Sequence, residues 1–108
     1  MRELKFRAWS IEKQSWVYFR IDNVPTWVHP AEVYQYIGLK DKNGREIYEG
    51  DIVTGWFNNQ KIVGQVFYGS NAAFFIQRKD LLGISLINAD SWLEVIGNVY
   101  ENPELLNA

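Results

Sequence analysis

The sequence predicts an all-β protein: a small, partly open β-barrel of the SH3 type, with an N-terminal β-hairpin before it and a short C-terminal helical turn. Three observations carry this. Apolar and polar residues alternate with period two in several short stretches, the mark of half-buried strands. Short polar or Gly-bearing segments separate those stretches, as in small barrels. Residues 38–53 combine a tight turn at Asn43-Gly44, a second corner at Gly50-Asp51, and a barrel-strand entry at Ile52-Val53.

The totals set limits. A chain of 108 residues fits one domain, read as hairpin and connection over 1–36 and barrel over 37–108. Apolar residues make up 47 % and aromatics 16 %, enough to fill one core and leave aromatics over. No apolar run nears the roughly 20 residues of a membrane helix, so no membrane partner is expected. The first residues form no apolar signal core, so a cytoplasmic location is expected rather than secretion. Without Cys there is no disulfide, thiolate metal site or Cys nucleophile. A net charge of −2 predicts no broad phosphate-binding footprint, although the basic residues are denser before residue 22.

In chain order, Leu4 to Ser10 and Ser15 to Ile21 alternate and form the hairpin around residues 11–14. With Glu12 and Lys13 at the tip, opposed positions sum to 25. That pairs Leu4 with Ile21, Phe6 with Phe19 and Ala8 with Val17 on an inner face. Lys5 then opposes Arg20, Arg7 opposes Tyr18, and Trp9 opposes Trp16 on an outer face. A slip of one residue would exchange the faces. Residues 22–30, with Pro25 and Pro30, read as an irregular connection. Ala31 to Tyr36 is ambiguous between strand and helical turn, and its β-branched and aromatic residues favour a strand.

Asn43-Gly44 suits a type I′ turn, in which both central residues take positive φ. At the next corner Gly50 permits an unusual backbone angle, and Asp51 can accept from nearby amides. Ile52 to Phe57, Lys61 to Tyr68 and Ala72 to Arg78 then read as consecutive antiparallel strands. Residues 58–60 and 69–71 are the polar turns between them. Gly64 suggests a bulge inside the second of these strands. Leu81 to Asn88 fits either a bulged strand or a helical turn. Leu93 to Tyr100 is the last strand. Asn102 as cap and Pro103 in the first turn start a terminal helical turn.

The chemistry-bearing candidates are few. Asp41, Asn43, Glu46, Glu49 and Asp51 cluster, but with Gly44 at the sixth position of a calcium loop the twelfth is Gly50, not Glu. Turn formation and capping explain them better, and no metal or cofactor is expected. Glu46 and Glu49 lack any sign of the cleft that an acid–base pair needs. His29 has a suitable pKa for a base but no nucleophile or ligand set around it. No phosphate loop is present, since the glycines sit in hairpin turns. The outer hairpin face combines Lys5, Arg7 and Arg20 with Trp9, Trp16 and Tyr18. Cations with stacking rings suit single-stranded nucleic acid. The same residue types suit packing on the domain or a subunit interface. The acidic remainder favours packing or an interface over nucleic acid.

Three blocks resemble one known family. They are Phe6-Arg7-Ala8-Trp9; Tyr36 to Gly44 followed by Ile47-Tyr48-Glu49-Gly50-Asp51-Ile52-Val53; and Val95-Ile96-Gly97-Asn98-Val99-Tyr100-Glu101-Asn102-Pro103. In that order and over nearly the whole chain they resemble the YopX family of phage and prophage proteins. Ser10 departs from the pattern, where an acidic residue often follows the Trp. The resemblance implies an SH3-type barrel, a phage or prophage origin, action in the bacterial host cytoplasm, self-association, and no assigned activity. The resulting expectation is a non-enzymatic interaction module that forms homo-oligomers and binds an unidentified phage or host protein. The alternative is a nucleic-acid-binding accessory protein using the hairpin face.

Overall fold

The computed structural model describes residues 4–28, 33–68, 74–78, 81–86 and 88–107. His29, the turn at 69–71, and the first residues expected of two strands, Ala31 and Ala72, lie outside these. The strands are β1 (Lys5–Ser10), β2 (Ser15–Arg20), β3 (Val33–Lys40), β4 (Glu46–Tyr48), β5 (Asp51–Phe57), β6 (Gln60–Tyr68), β7 (Phe74–Arg78), β8 (Leu81–Ser85) and β9 (Glu94–Asn98). A single helical turn, α1 (Ala89–Trp92), precedes β9, and a 3-10 helix covers Pro103–Asn107. The strands form two antiparallel sheets, ordered β2-β1-β3-β4 and β8-β7-β6-β5-β9. All-β SH3-type architecture is therefore what the chain adopts.

The hairpin has the register that alternation predicts. Lys5 faces Arg20, Phe6 faces Phe19, Arg7 faces Tyr18, Ala8 faces Val17 and Trp9 faces Trp16. Its four-residue loop closes with Gln14 in the left-handed region, at φ 51°, and Ser10 Oγ accepts from Lys13 N–H at 3.2 Å. β3 couples the hairpin to the barrel. Its first half pairs with β1, from Ala8 opposite Val33 to Phe6 opposite Gln35. Its second half pairs with β4. The position between residues 36 and 37 thus falls inside one continuous strand.

The core lies where β3 and β4 cover the five-stranded sheet. Ile37 and Ile47 pack against Val53, Ile62, Val66, Ile76, Ile84, Leu86, Ala89, Leu93 and Val95, with Trp92 against the edge. Burying each large aliphatic side chain contributes about 1.5–3 kcal/mol, so this cluster is the main stabilising term.

Three local expectations are corrected, and one left open is resolved. Asn43 does not take positive φ; Gly44 does, at 81°. Gly44 N–H donates to Asp41 C=O at 3.0 Å and Asp41 N–H to Arg45 C=O at 2.8 Å. That is a three-residue loop closing on a left-handed glycine, not a type I′ turn. Asp41 selects it by accepting from Asn43 and Arg45 N–H, both at 2.9 Å. The two-residue turn with two positive φ values is instead Asn58-Asn59, at 50° and 62°, between Phe57 and Gln60.

Gly64 carries no bulge, because β5–β6 pairing runs unbroken through Val53 opposite Gly64. The irregularity lies in β9, where Ile52 faces Gly97 but Val53 faces Val95, leaving Ile96 out of step. There the close approach of Asn102 demands glycine, since a Cβ on Gly97 would lie 2.5 Å from Asn102 Oδ1. For the same reason Asn102 does not cap the terminal helix with its side chain. Its Oδ1 accepts from Asn98 N–H at 3.3 Å. The ambiguous stretch from Leu81 resolves as strand β8, and the left-handed Asn88, at φ 56°, then turns the chain into α1, an element alternation did not announce.

Candidate functional site: the N-terminal sheet and its two faces

Alternation places Lys5, Arg7, Trp9, Trp16, Tyr18 and Arg20 on one side of the hairpin, and β3 and β4 add Tyr34, Tyr36 and Tyr48 to it. The structure brings the six residues together and packs most of them on the domain, one of the outcomes favoured from the sequence. This side is turned toward the barrel. Arg7 is 2 % exposed, and Trp9 and Trp16 are half-buried. Only Tyr18, at 57 %, and Arg20 are exposed. The cause is the chemistry of Arg7 itself: a long apolar stem and a planar cation that can be buried if stacked and paired.

Arg7 is held by both kinds of contact. Its Nη2 donates to Asp51 Oδ1 at 2.7 Å and to Glu49 C=O at 3.3 Å. Its guanidinium carbon lies 3.8 Å from the centre of the Trp16 ring and 4.7 Å from that of Tyr48. Arg7 Nε and Trp16 Nε1 are buried without a hydrogen-bond partner. Around this cation the rings interlock. Trp9 stacks on Tyr100 at 5.3 Å, Trp16 meets Trp9, Tyr34 and Tyr100 edge-on, and the Tyr34 and Tyr100 hydroxyls are 2.9 Å apart. Such ring pairs add roughly 0.5–1.5 kcal/mol each beyond area burial. At the open end, Lys5 pairs with Glu46 and lies 5.2 Å from the centre of the Tyr36 ring. Tyr18 packs edge-on against Tyr48 at 5.5 Å.

The acidic cluster is consumed by structure. Asp51 Oδ2 accepts from Tyr48 N–H at 2.8 Å, completing the Gly50-Asp51 corner, where Gly50 takes φ 84°. Asp41 Oδ2 accepts from Val95 N–H at 2.9 Å, tying the β3–β4 loop to β9. Glu49 Oε1 accepts from Gln35 N–H at 3.0 Å. Burial raises the Asp51 pKa, and the Arg7 charge and the Tyr48 and Arg7 hydrogen bonds offset this only in part. Burial also pushes Asp41 upward, but amide donors from Val95, Arg45 and Asn43 outweigh it and hold the carboxyl below the ordinary value. Tyr48 is pushed up to about 12 by burial and then by the Glu46 charge. Among the described residues no group of three potential ligands is placed to hold a metal, and no helix is long and apolar enough to cross a membrane.

The opposite face, expected to be inner, is the one left partly open. Ala8 is buried, but Phe6 and Phe19, stacked at 6.0 Å, are only half-buried. With Ile21, Val24, Val28 and Val33 they line an apolar groove of about 300 Å³. Ile21 is 64 % exposed and Val24 50 %; Leu4 and Trp27 are exposed as well. At the end of the hairpin, Lys5, Tyr18, Arg20 and Tyr48 line a smaller cleft of about 200 Å³ with Phe6 and Phe19. Sequence reading missed the groove, because it placed Ile21 on an inner face and took Val24 and Val28 for part of an irregular connection; the density of apolar residues in segment 21–28 was the available signal.

Comparison with known proteins bears on the whole chain. The family model described as YopX protein matches residues 20–107. The crystal structure of protein EF1440 from Enterococcus faecalis is similar, with a TM-score of 0.61 and 26 % sequence identity, over 98 % of this chain and 99 % of that one. No curated protein matches.

Proposed function

The chain belongs to the YopX family, and we propose that it acts as a non-enzymatic protein-interaction module that associates with further copies of itself. The observation that carries this reading is the apolar groove on the N-terminal sheet, continued by the exposed Ile21 and Val24. Contiguous exposed apolar surface marks interaction sites in soluble proteins. The engagement of Asp41, Glu49 and Asp51 in backbone hydrogen bonds supports a non-catalytic role for them. A phage or prophage protein in a bacterial cytoplasm, meeting a phage or host protein through this sheet, fits the same reading.

Light scattering after size exclusion, over a range of concentrations, tests it. The expected mass exceeds that of the 12.6 kDa chain and rises with concentration. A strict monomer at high concentration would overturn self-association. An Ile21→Lys variant should associate more weakly with an unchanged fold.

A second reading rests on the smaller cleft, where Lys5 and Arg20 flank Tyr18 and Tyr48. Cations beside rings suit a nucleic-acid strand. Against it, Arg7 is withdrawn into its pair with Asp51. Titration with labelled single- and double-stranded oligonucleotides decides: absence of salt-dependent binding at micromolar protein removes this reading.

A further inference from the structure

β2 is the outermost strand of the four-stranded sheet, with β1 on one side only among the described residues. Ser15, Tyr18 and Arg20 are exposed along it. Natural edge strands are blunted by charged side chains, Pro, bulges, inward charges or a covering element. Of these β2 has only the terminal Arg20: its sequence is Ser-Trp-Val-Tyr-Phe-Arg, and its pairing with β1 is regular throughout. Resting on the self-association proposed above, we infer that two copies join edge to edge through β2, antiparallel about a two-fold axis at Tyr18, merging the two N-terminal sheets into one of eight strands.

Electrostatics chooses this arrangement. In a two-fold antiparallel pair opposed residues alternate between hydrogen-bonded and non-hydrogen-bonded positions, and the residue on the axis, of either kind, faces its own copy. Val17 and Tyr18 are the central candidates. The Arg20 carbonyl accepts from Asn23 N–H at 3.0 Å, in the turn that follows β2. It therefore points off the β1 side, and alternation gives the same outward direction to Tyr18 and Trp16. Axes at Val17 and at Tyr18 both let these outward groups bond, but pairing about Tyr18 sets Arg20 against Trp16 of the second copy, a cation facing a ring, whereas pairing about Val17 sets Arg20 against Gln14, outside the strand. Parallel pairing would set Arg20 against Arg20, so the one charge in β2 favours the antiparallel form. Val17 would face Phe19 of the second copy on the other side of the sheet, joining the two grooves that Phe19 helps to line.

The chain has no Cys, so Tyr18→Cys supplies its single thiol. Opposed Cα atoms in such a pair lie about 5.5 Å apart, within disulfide range. Mild oxidation is expected to link Tyr18→Cys into a covalent dimer at least ten times faster than Ile11→Cys or Trp56→Cys. Those controls stand at 76 % and 69 % exposed positions remote from the axis. A Tyr18→Lys variant, which places two ammonium groups on the axis, should raise the dissociation constant at least tenfold with unchanged circular dichroism. Association without preferential Tyr18→Cys linking, or faster linking of Val17→Cys, overturns this arrangement and leaves self-association standing. A monomer at every concentration overturns both.

Discussion

Arg7 in β1 and Asp51 at the start of β5 meet at 2.7 Å with 2 % and 1 % of their side chains exposed, joining the four-stranded sheet to the five-stranded one. Removing one partner of a buried pair strands the other charge in a low-dielectric site, which costs about 3–5 kcal/mol. Arg7→Ala and Asp51→Asn should each lose that much in urea unfolding. Arg7→Lys should not restore it, because an ammonium cannot reproduce the planar stack on Trp16 and Tyr48. The double change Arg7→Met with Asp51→Leu should cost far less than the two single losses combined. A loss below about 1 kcal/mol in the single variants would deny the pair its role as the clasp between sheets.

Asp41 predicts the acid limb of stability. Its carboxyl is held below the ordinary value of 3.8 because its amide donors outweigh burial. A depressed acid contributes stability that is present above the unfolded value and lost as pH falls through the folded one. Asp41→Asn should therefore unfold with a flatter pH dependence below about pH 4. An unchanged slope there would refute the assignment. Asp51 has the opposite sign: with its pKa raised, its contribution is fully present below its unfolded value and declines as pH rises through the folded one.

Glycine substitutions should separate backbone strain from crowding. Gly44 has φ 81° and open space around a Cβ, so Gly44→Ala should cost about 1–2 kcal/mol from conformation alone. Gly50, at φ 84°, would place a Cβ 3.2 Å from the Tyr34 ring, so Gly50→Ala should cost more. Gly97→Ala should be worse again, with its Cβ 2.5 Å from Asn102 Oδ1. Adding Asn102→Gly should recover part of the Gly97→Ala loss. Equal melting temperatures for the three single variants would contradict this ranking.

Of the six Tyr residues, Tyr48 should ionise at about 12. An alkaline absorbance titration of the folded protein should show a late step that Tyr48→Phe abolishes. Ionisation of Tyr48 at its ordinary value of 10.0 would show that its ring is not buried between Arg7 and Tyr18 as described.

Much of the fold was legible because local rules govern it. Strand periodicity and a short loop sufficed to place Phe6 opposite Phe19 and Trp9 opposite Trp16. The corner at Gly50-Asp51 was readable because positive φ and amide-accepting carboxylates are local chemistry. The turn at Asn43-Gly44 was located but mistyped, since Asp41 captured the amides of residues 43 and 45. Alternation gathered the six side chains on one side of the hairpin, and the tertiary structure turned that side, named outer from the sequence, toward the barrel.

The physical reason marks the line between the two levels. Alternation determines which side chains share a side of a sheet, and by itself it determined the hairpin, its register and the company of Arg7 with Trp16. Which side is covered depends on what lies above it. Here that is Asp51, 44 residues further along the chain, with Tyr48 and Tyr100. Both sides of the hairpin carry large apolar groups, so hydrophobicity did not choose between them. Only the tertiary structure, by supplying a buried carboxylate to Arg7 and nothing comparable to Ile21 and Val24, decided which face became core and which was left as surface.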